Sequence, residues 1–147
     1  MVTIREVIGK IHLLATLVPV PQAAEMARVF VRHRLICLGC AELIDDACQI
    51  VSEMVANAVE AITKDDPTAR GSIRLYLGLH EGHPLLEVWD SSSEMPVLKE
   101  PDYLAESGRG LHIIQSLAAH FGWREDERQG GKIVWALLNG SPTPGTW

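Results

Sequence analysis

The stretch from Ala41 to Ile62 repeats its apolar side chains every three to four positions. This period places them on one face of a single long α-helix. A helix with one apolar stripe is stable only when another layer of structure covers that stripe. The chain therefore has to supply a second layer, and the stripe predicted to face it consists of Leu43, Ile44, Ala47, Ile50, Val51, Met54, Val55, Ala58 and Ile62.

Alternating strands provide the second layer. Ser72–His80 alternates apolar and polar residues, and Leu85–Asp90 follows after the turn 81–84. The other predicted elements are a strand at 11–18, a helix at 23–35, a helix from Gly108 to about Phe121, and a hairpin of strands 122–128 and 132–138. This order predicts an α+β fold, a two-layer sandwich with a mixed, mostly antiparallel sheet and helices on one face. We expect one domain over 1–147, with its core at about 17–138 and a flexible tail at 141–147.

Bulk properties narrow the class of protein. The 147 residues carry a net charge of −6, whereas proteins that bind nucleic acid usually present a basic face. Residues 1–22 contain neither an uninterrupted apolar span nor a signal-peptide layout. Three cysteines fit a reducing compartment. We expect a cytoplasmic protein that binds neither nucleic acid nor membranes.

Cys37 and Cys40 form a C-x-x-C pair, which is typical of redox dithiols and of half a zinc site. A second such pair is missing, as is a closely spaced histidine pair that would complete a zinc site. We favour two small residues in a loop between helices.

Glu53 and Asn57 lie four positions apart on the long helix, so their side chains share one face at about 5–6 Å. A carboxylate there can accept a proton, and the amide oxygen can bind a metal ion. A solvent-facing polar stripe would have the same spacing. Asn is a poor residue for a helix interior, which favours a functional role.

Two later segments carry further candidate chemistry. Asp90 ends an apolar strand, and its carboxylate can accept a hydrogen bond from the exocyclic amine of adenine. Gly108 and Gly110 allow a backbone to approach phosphates at a helix start, where unpaired N–H groups point outward. Arg109 between them is either a phosphate ligand or an exposed residue of a loop that covers the nucleotide.

The order Glu53…Asn57, Asp90, Gly108-Arg109-Gly110-Leu111 and Gly130-Gly131 resembles the GHKL ATPase superfamily, with its N, G1, G2 and G3 boxes. The similarity runs from about Leu17 to Leu138. Within the superfamily, the runs 88–92, 106–111 and 130–135 resemble the small bacterial anti-sigma factor serine kinases. The resemblance implies the Bergerat ATP-binding fold.

The same resemblance implies an ATP- and Mg²⁺-binding regulatory protein that phosphorylates a serine or threonine of a small antagonist and sequesters a sigma factor. Glu53 is then the catalytic base and Asn57 a ligand of Mg²⁺ and nucleotide. Asp90, Ser92, Gly108, Arg109, Gly110, Leu111 and Lys132 complete the nucleotide contacts. The family usually forms homodimers. The alternative is a regulatory module that binds nucleotide in the same pocket without transferring phosphate.

Three positions depart from the superfamily pattern. Ser92 and Glu94 stand where the G1 box usually has its first and second glycines, and Lys132 stands where many members have a threonine. Neither G-x-G-x-x-G nor the P-loop motif is present, which excludes those two modes of phosphate binding.

Overall fold

The computed structural model describes residues 11–66, 68, 70–92 and 109–139. The described elements are β1 (Ile11–Leu17), α1 (Ala23–Cys37), a 3-10 turn (Ala41–Leu43), α2 (Ile44–Asp65), β2 (Ile73–His80), β3 (His83–Asp90), α3 (Arg109–Leu117), β4 (Ala118–Glu125) and β5 (Lys132–Leu138).

The five described strands form one sheet in the order β1-β2-β3-β5-β4, and each neighbouring pair is antiparallel. Helix α2 packs on this sheet through the apolar stripe that the sequence predicts, with Ile50, Met54 and Ile62 almost fully buried. The rows of β2 and β5 that face the helices contribute Leu75, Val134 and others to the same core. The predicted α+β sandwich is therefore confirmed.

Helix α2 owes its length to more than its apolar stripe. Asp45 and Asp46 lie in its first turn and Lys64 in its last. Negative charge at the N-terminus and positive charge at the C-terminus both interact favourably with the helix dipole. The result is a continuous helix from Ile44 to Asp65, which carries the candidate site residues at its middle.

Strand alternation decides which side chains face the helices. In β3, Leu86 and Val88 belong to the core beneath the helices, and Asp90 shares their face. Lys132 is paired with Asp90 in the β3–β5 ladder and shares the face of Val134. Two charged residues thus end the helix-facing rows of adjacent strands.

The opposite face of the sheet is also buried at its centre. Leu85, Glu87, Trp89 and Ile133 are each at most 6% exposed. Arg124 on β4 lies 3.9 Å from the Glu87 carboxylate, so this charge is compensated within the sheet.

Several predicted boundaries are wrong. Helix α3 ends at Leu117 instead of about Phe121, and β4 begins at Ala118 rather than at Gly122. Pairing of 118–121 with β5, through an irregularity between Ala118 and His120, outweighs the helical apolar period. The β2–β3 turn is also shorter than predicted, since only Glu81 and Gly82 separate the strands. Both have positive φ, as two-residue hairpins require.

Residues 93–108, which include the candidate Gly108, and the predicted tail at 141–147 lie outside the described residues. Among the helices of the described ranges, none combines the length and apolar character needed to cross a bilayer.

Candidate nucleotide-binding site

The first half of the site lies where α2 meets the N-terminus of α3. A Cβ on Gly110 would stand 2.7 Å from Glu53 Oε2 and 3.3 Å from Asn57 Oδ1. The backbone of α3 therefore contacts both polar side chains of α2, and a larger residue than glycine would displace them. This contact excludes the simple alternative of a polar stripe facing solvent, and Glu53 and Asn57 are both only half-exposed.

Glu53 has an environment that favours its protonated form. Partial burial beside α3 raises the pKa of its carboxyl above the ordinary 4.5. A carboxylate whose pKa lies closer to neutral pH is a better proton acceptor from a hydroxyl group. The environment thus fits a general base.

The second half of the site lies at the ends of β3 and β5. Asp90 is fully buried, and its Oδ1 accepts hydrogen bonds from the backbone N–H of Ser92 at 2.8 Å and from Lys132 Nζ at 2.9 Å. Nζ also lies 2.8 Å from Oδ2. Lys132 itself is only 2% exposed, so the two charges form a buried ion pair. We call Asp90 and Lys132 the Asp–Lys pair.

The turn between β4 and β5 packs tightly against this pair. Gly131 has φ +72°, and a Cβ there would collide with the carbonyl oxygen of Asp90. On the opposite face, the indole N–H of Trp89 donates a hydrogen bond to the carbonyl oxygen of Gly130 at 2.8 Å. The Arg74 guanidinium lies 4.8 Å from the centre of the Trp89 ring. The late glycines therefore hold the turn against the end of β3.

A further contact connects the Asp90 end of the sheet to α2. A Cβ on Gly71 would collide with the Ser91 hydroxyl and with the side chain of Ile62. Ile62 lies about 8 Å further along α2 than Asn57, at 1.5 Å per residue. The sequence predicts neither this contact nor the Asp–Lys pair. Strand alternation, which puts Asp90 and Lys132 on the core-facing side, was the signal for the pair.

The structure describes most of the predicted site residues, but one of them only in part and another not at all. Gly108 lies outside the described residues, and only the backbone of Arg109 is described, at the start of α3. Leu111 is 4% exposed and belongs to the hydrophobic core, so its side chain serves packing. Ser92 meets Asp90 through its backbone N–H. Gly110 lies against Glu53 and Asn57 where α3 meets α2.

A family model for the histidine kinase-like ATPase domain matches residues 15–137. This range includes both halves of the site. The chain belongs to the histidine kinase-like ATPase domain family. Among curated proteins, no match to the chain was found. Membership implies an ATP-binding protein with a regulatory role, and ATPase domains generally use Mg²⁺.

The residues of this ATPase domain fit such a ligand. Glycine at 110 lets the start of α3 lie directly against Glu53 and Asn57. The N-terminal amides of α3 are suited to phosphate. The amide oxygen of Asn57 is a hard donor of the kind that Mg²⁺ prefers. At the other end, the Asp–Lys pair offers hydrogen-bonding groups for a base.

The cysteine pair has no part in this arrangement. Cys37 is exposed and contacts His33 at 3.7 Å, whereas Cys40 is buried. Burial, together with Glu42, raises the pKa of the Cys40 thiol, which is the opposite of what a reactive thiolate needs. Within the described ranges, no three His, Cys, Asp or Glu side chains are grouped to bind a metal ion.

Proposed function

We propose that this chain is an ATP- and Mg²⁺-dependent protein serine/threonine kinase of the anti-sigma factor type. In this proposal it phosphorylates a small antagonist protein and also sequesters a sigma factor. Family membership supports ATP binding. The observation that carries the kinase assignment is the half-buried Glu53 carboxylate, held beside Asn57 and the N-terminus of α3.

The roles of the residues follow from their positions. Asn57 would hold Mg²⁺ through its side-chain oxygen, and the amides at the start of α3 would bind phosphate oxygens. Asp90 would accept a hydrogen bond from the exocyclic amine of adenine. Guanine has a carbonyl oxygen at that position, which cannot donate a hydrogen bond to a carboxylate. Mg²⁺ supplies positive charge that offsets the charge of the phosphates during transfer.

Glu53 would act on the acceptor protein. Its carboxylate takes the proton of the serine or threonine hydroxyl as the hydroxyl oxygen bonds to the γ-phosphorus. The bond between that phosphorus and the bridging oxygen breaks, and ADP leaves with the bonding electrons. Because desolvation raises the pKa of Glu53, it holds this proton better than an exposed glutamate does.

The test compares Glu53→Gln with Glu60→Gln. Glu60 lies on the same helix but is exposed, where it pairs with Lys64 at 3.6 Å. Each variant is incubated with γ-labelled ATP and the small antagonist candidates encoded beside its gene. We expect Glu53→Gln to lower transfer about 10²- to 10⁴-fold with nearly unchanged ATP affinity, and Glu60→Gln to transfer normally.

Two outcomes would change the assignment. Normal transfer by Glu53→Gln would show that another group accepts the proton. Tight ATP binding by the wild-type protein, without transfer to any candidate acceptor, would instead favour a regulatory module that binds nucleotide and transfers nothing.

The partners belong to the same proposal. We place the protein in the cytoplasm, as a homodimer that binds a sigma factor and its antagonist and contacts neither nucleic acid nor membranes. The net charge of −6 supports the absence of a nucleic-acid partner. Co-expression with the sigma factors encoded nearby, followed by size-exclusion chromatography, tests both the complex and the dimer.

A further inference from the structure

Lys132 occupies a position where a lysine is costly. It lies at the start of β5 on the face that carries Val134 and Ala136, and it is 2% exposed. Burying an ammonium costs free energy even when a carboxylate compensates it, and an apolar pair of similar size often stabilises a fold as well. Stability alone therefore gives little reason for a lysine here.

The ammonium has more hydrogen-bonding capacity than Asp90 uses. A lysine side chain carries three N–H donors and no acceptor. The two oxygens of Asp90, at 2.8 and 2.9 Å from Nζ, account for at most two of these donors. Among the described residues, Asp90 is the polar partner of Nζ. Within the described part of the chain, at least one N–H of this buried ammonium is thus left for another acceptor.

Asp90, for its part, is not an isolated acceptor. The backbone N–H of Ser92 and the ammonium of Lys132 both donate to Oδ1. A base that reaches this carboxylate therefore meets Nζ at the same time, because the two groups lie within 3 Å of each other. The Asp–Lys pair presents an acceptor and a donor side by side.

We propose that Lys132 is a second specificity-determining residue, which donates a hydrogen bond to ring nitrogen N1 of adenine while Asp90 accepts from the adjacent exocyclic amine. The inference rests on the proposed ATP binding and extends it. Adenine matches both groups, since its amine is a donor and its N1 an acceptor. Guanine in the same pose would oppose its carbonyl to Asp90 and its N1–H to Lys132, so both contacts would be mismatched.

The test uses nucleotides that differ from ATP by one ring atom. In 1-deaza-ATP a C–H replaces N1, whereas 7-deaza-ATP keeps N1 and changes another ring position. We measure dissociation constants by calorimetry with the wild-type protein and Mg²⁺. Loss of a hydrogen bond to a charged donor should weaken 1-deaza-ATP by about 10- to 100-fold, with 7-deaza-ATP close to ATP.

Variants assign the effect to Lys132. In Lys132→Met the difference between ATP and 1-deaza-ATP should disappear, whereas Lys64→Met, at an exposed lysine of α2, should keep it. Removal of the counter-ion of Asp90 risks misfolding, but the comparison of analogues on the wild-type protein stands without any variant.

Equal wild-type affinity for ATP and 1-deaza-ATP would overturn the inference and leave ATP binding intact. Absence of binding for ATP itself would overturn the proposed function together with the inference.

Discussion

Glu53 and Glu60 are two glutamates of one helix with different surroundings. Glu60 is exposed and pairs with Lys64, as expected of a residue on a solvated face. Glu53 instead contacts the start of α3 at Gly110, and desolvation raises the pKa of its carboxyl. The contrast arises from tertiary packing, because Glu53 lies beside the start of α3 whereas Glu60 is exposed.

This difference predicts a pH dependence of stability. A carboxyl whose pKa is higher in the folded state contributes stability that is fully present below the unfolded pKa, near 4.5, and lost as pH rises through the folded pKa. Glu53→Gln removes the charge, so we expect it to melt higher than wild type at pH 7. The gain should shrink on acidification and vanish near pH 3, as measured by thermal melts across this range.

Glu60→Gln is the matched control, and its melting temperature should differ little from wild type at either pH, because exposed ion pairs contribute little. A Glu53→Gln variant that melts lower than wild type at pH 7 would contradict the desolvated environment of Glu53.

At the scale of elements, the β4–β5 turn is held against β3 by backbone contacts. Gly130 and Gly131 both have positive φ, but their surroundings differ. A Cβ on Gly130 would meet nothing within 4 Å, whereas one on Gly131 would collide with the carbonyl oxygen of Asp90. Because both glycines have a left-handed backbone conformation, substitutions at the two positions distinguish the cost of that conformation from the cost of a steric clash.

We expect Gly130→Ala to lower the free energy of unfolding by about 1–2 kcal/mol, the usual cost of a left-handed conformation for an L-residue. Gly131→Ala should cost at least about 1 kcal/mol more, because the carbonyl of Asp90 has to move as well. Urea unfolding of both variants measures the difference. Equal losses of unfolding free energy would show that a side chain at position 131 does not clash with the carbonyl oxygen of Asp90.

The sequence predicts those features of the helices and strands that depend on local geometry, but not those that depend on strand pairing. The apolar period of α2 predicts its buried face, and the spacing of Glu53 and Asn57 predicts their common side, because both depend on local helix geometry. The end of α3 is wrong because Ala118 and Phe121 suit either a helix or a strand, and pairing with β5 decides between them. The Asp–Lys pair depends on the register of β3 with β5, which local patterns do not determine.

At the scale of the molecule, both halves of the site rest on one sheet and its helices. The α2–α3 contact holds Glu53 and Asn57, and the ends of β3 and β5 hold the Asp–Lys pair. A ligand that bridges the two halves would bind the folded state alone, so it should stabilise the whole domain.

We therefore expect Mg-ATP at about 100 times its dissociation constant to stabilise the protein by about 2.7 kcal/mol. For a domain of this size that is a rise of several degrees in melting temperature. Thermal melts with Mg²⁺ alone provide the baseline, and Asp90→Asn should abolish the rise. An unchanged melting temperature in millimolar Mg-ATP would contradict nucleotide binding.

Helix α2 also constrains how sequences of this kind can change in length during evolution. Glu53 and Asn57 share one rigid helix, in which each inserted or deleted residue turns everything beyond it by about 100°. A single-codon insertion between them would carry Asn57 away from Gly110, whereas one in the turn between α2 and β2 would leave their relation intact. Natural length variation should therefore accumulate at the ends of α2 and be absent between its two polar residues.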